Sequence, residues 1–379
     1  MNAAPRGRLP VTLVTGFLGS GKTTLINMAL KSPDLARTVV VVNEFGEVGL
    51  DHMLYASSND AVIVLENGCL CCTVRSDLIS TLNNLYHDSL AGRIPKFDNV
   101  VIETSGLAEP GPVLQAFLSE PTLDGLFRVG RVLTLVDGVN WPDTSLKHDE
   151  AVRQVALADD IVITKSDLVP GDRKAALAAL SGELRGMNPA ASISEAEWSS
   201  AAVARLLSSP GFDAADGTAD PRAWLSIGNY ETYGKTRDQW DAAGSQFNPH
   251  LAAKGVESFV LVRSEPLSRE ELQFLLDGIM QNLGSSLLRV KGLVNVLEEE
   301  GRPAVIQGAQ HLLHTLTWLD RWPDTDTRTR VVFITQGIVR ERLTEIIALL
   351  DRMSKNTFEA RRRGRLARLA AEQVEGTQS

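Results

Sequence analysis

A chain of 379 residues, 44% hydrophobic and 22% charged, has the composition of a soluble globular protein and the length for two domains of ordinary size. Its net charge of −9 argues against a general role on nucleic acid, and no apolar run approaches the roughly 20 residues that a membrane span needs. Met1–Pro10 lacks the apolar core of a signal peptide, so the expected location is the cytoplasm.

Taken in order, the N-terminal half alternates strand-like and helix-like pieces. The strand candidates are Val11–Val14, Val39–Val42, Ala61–Leu65, Asn99–Glu103, Val132–Val136 and Ile161–Thr164. Most are continuous apolar runs, the pattern of strands buried on both faces. Between them, Asp77–Tyr86 places Leu78, Leu82 and Leu85 on one helical face. Arg173–Arg185 reads as a helix with Gly186 at its C-cap. This alternation predicts an α/β fold with a doubly wound, mostly parallel sheet. The pattern fades near Ser200, and 206–255 is expected to be a linker or irregular region. Beyond it, Ser258–Val262, Leu287–Val290, Leu293–Val296, Ala304–Gln307 and Thr329–Thr335 read as strands. Ser268–Met280 and Glu341–Leu350 read as helices, which gives a smaller α+β domain. The division expected is 1–205, 206–255, 256–352 and a basic tail at 353–379. The tail's arginines suit a solvated or frayed terminal helix better than a nucleic-acid arm.

Ligands of open parallel sheets bind beyond the carboxyl ends of the strands, and there the chemistry-bearing residues collect. After the first strand comes Gly16-Phe17-Leu18-Gly19-Ser20-Gly21-Lys22-Thr23-Thr24, a GxxxxGK[ST] phosphate loop between strand and helix. Its glycines let backbone N–H groups turn toward phosphate oxygens. Lys22 supplies positive charge to the terminal phosphates, and the Thr23 hydroxyl suits Mg²⁺. Glu103-Thr104-Ser105-Gly106 occupies the place of the GTPase DxxG element. There the acid holds an Mg²⁺-bound water and the Gly106 backbone senses the γ-phosphate. Leu107 stands where some GTPases place a water-orienting Gln, so intrinsic hydrolysis is expected to be slow. Thr164-Lys165-Ser166-Asp167 resembles the guanine-reading NKxD element. Its Asp167 carboxylate accepts from the guanine N1–H and amine, while the stem of Lys165 covers the base plane.

All three cysteines of the chain fall within Cys69-Leu70-Cys71-Cys72, whereas a disulfide scaffold would scatter them. In an extended segment Cys69 and Cys71 share a face and can chelate one ion; Cys72 needs a local turn to join them. Thiolates favour Zn²⁺, Co²⁺, Ni²⁺ or Cu⁺ over Mg²⁺ or Ca²⁺. A tetrahedral ion needs a further ligand: Glu47, His52, water or a partner. Redox chemistry, which usually uses CxxC, and simple burial are the competing uses.

On GFLGSGKTT at Gly16–Thr24, NEFGE at Asn43–Glu47, NGCLCC at Asn67–Cys72, ETSGLAEP at Glu103–Pro110 and TKSD at Thr164–Asp167, the chain resembles the CobW-type family of P-loop GTPases, proposed metallochaperones. Leu288-Arg289-Val290-Lys291-Gly292 is similar to the family's second-domain signature. The resemblance implies GTP and Mg²⁺ as ligands, GTP hydrolysis, and delivery of a transition metal, Zn²⁺ or Co²⁺, to a client protein. It carries Cys69, Cys71 and Cys72 over as metal ligands, with Glu47 auxiliary. Val42 stands where some members have an acidic residue, and there is no histidine-rich stretch. The alternative reading is a regulatory P-loop GTPase whose cysteines hold a structural zinc. Neither nucleic acid nor membrane is an expected partner, and the oligomeric state is left open.

Overall fold

The structure is a computed structural model that describes residues 8–43, 62–65, 71–209, 211–212, 221–225, 241–244, 255–310, 312–313, 316–339 and 341–354. Glu47, His52, Asn67, Cys69 and the tail from 355 onward lie outside the described residues.

The first sheet comprises β1 (Leu9–Gly16), β2 (Thr38–Asn43), β3 (Val62–Leu65), β4 (Asn99–Thr104), β5 (Phe127–Asp137), β6 (Asp160–Thr164) and β7 (Ser192–Glu195). Its strand order is β3-β2-β4-β1-β5-β6-β7, and every pairing is parallel. Successive residues of one strand feed cores on opposite faces, which is why these strands read as unbroken apolar runs. In β4, Val100 and Ile102 join Leu78, Leu82 and Phe117 on one side. Val101 joins Leu25, Ile26, Val203 and Leu207 on the other. The helices are α1 (Lys22–Ala29), α2 (Cys71–Leu90), α3 (Gly111–Ser119), α4 (Pro121–Leu126), α5 (Trp141–Lys147), α6 (Asp149–Leu157), α7 (Arg173–Met187) and α8 (Ser200–Ser208). The expected doubly wound α/β fold is therefore present.

Several local expectations shift. The helix expected at Asp77–Tyr86 begins at Cys71, so Cys71 and Cys72 open α2 rather than continue an extended segment. The α7 helix runs through Gly186 to Met187. Its stop comes from Asn188, whose buried side-chain amide donates to the carbonyls of Val155, Ala156 and Ala158. The β7 strand was not anticipated: Ser-Ile-Ser-Glu at the sheet edge carries no apolar run. Segment 206–255 contributes a short helix, α9 (Pro221–Leu225), and a strand, β8 (Asp241–Gly244).

In the second domain, β8 pairs with β9 (Val256–Arg263), beside β14 (Thr329–Gln336), β10 (Leu287–Val294) and β11 (Ala304–Ala309). The short strands β12 (Leu312–Leu313) and β13 (Thr317–Trp318) both pair with β11, and all pairings are antiparallel. The runs expected at Leu287–Val290 and Leu293–Val296 join in one strand that ends at Val294, and Gly292 between them lies so close to β14 that a Cβ would overlap the Arg330 carbonyl. Helix α10 (Arg269–Leu283) is closed by a reciprocal cap. Ser268 Oγ accepts from the Glu271 N–H, and Glu271 accepts from the Ser268 N–H at 2.7 Å.

This second sheet is buried on both faces. Phe259, Leu261, Val290, Val331 and Phe333 pack on α10 and the helix at 341–354. The alternate residues Val260, Val262, Val332 and Ile334 share a core with Val152, Val155, Leu180 and Leu184 of α6 and α7. The buried Arg289 and Lys291 lie two residues apart on β10, and both reach the largely buried Asp159, Arg289 at 2.7 Å. Burial alone would push the Asp159 carboxyl up, but the two cations outweigh it and hold the group well below the usual carboxylate range. Lys291 is lowered from the ordinary lysine value by its own burial, against the pull of Asp159. The pair of cations in the second-domain signature thus fastens that domain to the first.

Candidate functional site

Parallel register brings the ends of β1, β4, β5 and β6 to one edge: Val14 sits opposite Glu103, Gly16 opposite Leu135, and Asp137 opposite Thr164. The loop from Gly16 to Gly21 turns there into α1. Gly16, Gly19 and Gly21 have φ of 138°, 73° and 96°, a region that glycine enters without strain. At Gly16 a Cβ would meet the Leu135 carbonyl oxygen at 2.4 Å, so only glycine fits.

Lys22 is only 7% exposed, and its ammonium donates to the carbonyls of Gly16 at 2.8 Å and Phe17 at 3.4 Å. It is thus folded over the loop whose phosphate it is expected to meet. The Thr23 hydroxyl donates to Glu103 Oε1 at 2.9 Å, across 80 residues of sequence. A hydroxyl and a carboxylate converging at a phosphate loop are a hard-oxygen pair. That donor set suits Mg²⁺, which keeps most of its waters and takes few protein ligands. Gly106 packs against the phosphate loop so tightly that a Cβ would come within 2.8 Å of the Leu18 backbone nitrogen. Thr24 follows Thr23 on α1 and is exposed.

In the TKSD segment the residues divide their work. Thr164 is fully buried and donates to the Ser20 carbonyl at 2.8 Å, so it ties the β6 loop to the phosphate loop rather than facing a base. Lys165, at φ 53°, binds Asp137 at 2.6 Å. Partial burial pushes the Asp137 carboxyl up, but Lys165 and the Asn140 and Val139 donors bring it below its ordinary value. Asp167 is exposed and carries no hydrogen bond or ion pair among the described residues. Nearby, the ring edge of Trp198 lies 3.6 Å from the place of a Cβ on Gly21.

Cys71 and Cys72 sit at the first turn of α2, and Cys69 and Glu47 lie outside the described residues. Among the described residues no group of three or more His, Cys, Asp or Glu is placed to hold a metal ion. No described helix is long and apolar enough to cross a membrane.

Sequence reasoning missed two residues that hold the loop after Glu103. Gln154, 1% exposed on α6, donates to the carbonyls of Gly106 at 3.1 Å and Ala108 at 2.9 Å. Its neighbour Arg153 binds the Glu109 carboxylate. One signal was available: Gln154 falls among Ala151, Val152 and Val155, a polar side chain on an otherwise apolar helical face.

Comparison with known proteins agrees with this architecture. The family described as "CobW/HypB/UreG, nucleotide-binding domain" matches residues 10–195. "Cobalamin synthesis protein cobW C-terminal domain" matches residues 256–350. The chain is similar to "Zinc chaperone YjiA" of Escherichia coli, 28% identical over 340 residues that cover 90% of this chain and 98% of that one. It is also similar to "Zinc chaperone CobW" of a Sinorhizobium species, 37% identical over 193 residues, 44% of this chain and 53% of that one. The crystal structure of Zn(II)-bound YjiA GTPase from E. coli shares the fold, with a TM-score of 0.61, 24% identity and coverage of 91% of this chain and 99% of that one. With both domain families matched in order, and with a relative similar over nearly its whole length, the chain belongs to the CobW family.

Proposed function

We infer that the protein is a GTP-hydrolysing metal chaperone that binds a transition metal at Cys69, Cys71 and Cys72 and delivers it to a client protein. The observation that carries the GTPase half is the 2.9 Å contact of Thr23 with Glu103 beside Lys22 and Gly106. Thr23 and Glu103 would hold Mg²⁺, which supplies charge neutralisation for phosphoryl transfer. Lys22 would exchange its two carbonyl acceptors for phosphate oxygens, a stronger, charge-assisted partner. Gly106 offers its backbone N–H close to the phosphate loop. Asp167 selects guanine, because adenine lacks the N1–H and amine donor pair. Leu107 is 51% exposed and cannot orient water, so turnover without a partner is slow.

The metal half rests on the three thiols and on relatives named zinc chaperones, which favour Zn²⁺ over Co²⁺. Glu47 would serve as the auxiliary ligand. The reducing cytoplasm is the setting in which such thiols stay available. The test is titration of the purified protein with Zn²⁺ and Co²⁺, in the presence of Mg²⁺ with a non-hydrolysable GTP analogue or with GDP, by competition with a chelating dye. A chaperone changes metal affinity between the two nucleotide states, and Cys71→Ser with Cys72→Ser abolishes that change while sparing GTP binding. Equal affinities in both states would leave a GTPase with a structural zinc.

A further inference from the structure

The loop that follows Glu103 is gripped from two sides. On one side, Gln154 holds the carbonyls of Gly106 and Ala108. On the other stands the second domain. Arg153 binds Glu109 and at the same time donates through Nε to the Gln336 side chain at 2.8 Å, and Gln336 ends β14. Gln310, just beyond β11 with φ 53°, hydrogen-bonds Gln115 of α3. Gly111, at the start of that helix, lies against the same Gln310 amide, where a Cβ would come within 2.3 Å. Segment 106–115 thus touches the phosphate loop through Gly106, touches the second domain through Gly111 and Gln115, and reaches it from Glu109 by way of Arg153.

We propose that the second domain senses the nucleotide: Arg153 is a positioning residue that couples docking of the second domain at Gln336 to the position of the 106–110 loop. This rests on the GTPase reading above. In the arrangement described, Gly106 is packed on the Leu18 backbone, the place from which its N–H can meet a third phosphate. A withdrawn loop must break the Gln154 bonds, and a buried amide left without acceptors is costly. Gln154 thus biases the loop toward the inward position. Because Arg153 holds the inward position to the second domain, GTP and tight docking favour each other, and linkage makes the effect reciprocal.

The test uses the full chain and hydrogen–deuterium exchange with Mg²⁺ and either a non-hydrolysable GTP analogue or GDP. Protection of segment 16–24 by both nucleotides reports binding itself. In the wild type the analogue should slow exchange of segments 304–310 and 333–339 by about 5-fold or more relative to GDP. Arg153→Ala and Gln336→Ala should each cancel that difference. Each should also lower the ratio of analogue affinity to GDP affinity by a similar factor. Gln336→Ala leaves the Arg153–Glu109 pair in place, so it reads the coupling even if Arg153→Ala folds poorly. A merely structural tie would weaken both nucleotides alike and leave the ratio unchanged, which would overturn the proposal. So would equal exchange of the second-domain segments in the two states while segment 16–24 is protected. Absence of protection at 16–24 with either nucleotide would overturn the GTPase reading, and the coupling with it.

Discussion

The nucleotide edge and the domain seam both bring charged side chains into confined places, but what completes them differs. At the seam, Asp159 faces Arg289 and Lys291, and its carboxylate pairs with both cations inside the protein. At the edge, Lys22 leans on two backbone carbonyls, and the Asp167 carboxylate is bonded to nothing described. The first arrangement needs no ligand and therefore locks. At the second, Lys22 donates to neutral carbonyls that an anionic ligand can replace. A buried cation on backbone carbonyls is thus a sign of a site, whereas a buried cation on a carboxylate is more often a fastening.

The largest effect expected from breaking this contrast is at Lys22. Lys22→Ala should abolish GTP binding, read by titration with a fluorescent guanine nucleotide. Its loss of two carbonyl bonds costs only about 1 kcal/mol each in stability, so the circular dichroism spectrum should be retained. Asp159→Ala should do the reverse. Two buried cations lose their counter-charge, which costs about 3–5 kcal/mol, read as a lower urea midpoint. If that variant unfolds no earlier than the wild type, the seam is not a fastening. Next comes Asp167→Ala, which should reduce the preference for GTP over ATP by about 100-fold, because the donor pair of guanine is then left unmatched. Competition between the two nucleotides measures it, and an unchanged ratio would remove Asp167 from the base site.

The smallest expected effect sharpens the comparison through pH. The Asp159 carboxyl is held below its ordinary value in the folded state, so the folded protein binds its proton less readily than the unfolded chain does. Its contribution to stability is complete above the ordinary carboxylate pKa of about 3.9 and is lost as pH falls through the lower folded value. Thermal melts between pH 6 and 3 should therefore show the gap between wild type and Asp159→Ala narrowing at the acid end. A gap that is constant across the range would mean that the carboxylate is not the source of the seam's stability.

Much of the sheet was legible in the sequence because burial on both faces writes itself as unbroken apolar runs, as in Val39–Val42 and Val100–Ile102. The edge strand β7 was not, since Ser192–Glu195 has no such face to bury. The phosphate loop was legible because its glycines and Lys22 are fixed by backbone geometry over a few adjacent residues. Thr23 and Glu103 were each read separately as groups for Mg²⁺, and the structure brings them into contact. What could not be read was long-range pairing between ordinary polar residues. Arg153, Gln154, Gln310 and Gln336 carry no local spacing, and their partners are set by how two domains meet. Thr164 shows the same limit: its place in TKSD suggested a base contact, and its hydroxyl turned out to be occupied by the Ser20 carbonyl. Arg289 and Lys291 were recognised as a signature, but only the alternation of β10 across the seam explains why two cations stand two residues apart.

The two-faced second sheet has a practical consequence for anyone who would divide this chain. Cut free near Gly255, that domain would turn Val260, Val262, Val332 and Ile334 to water, with Arg289 and Lys291 set among them and their Asp159 partner left behind. Such a face attracts other chains and repels its own charges, so a fragment would report on its own clumping rather than on its role. Interactions of the second domain with a client are best sought in the undivided protein, where the surfaces left open are those that the first domain has not already claimed.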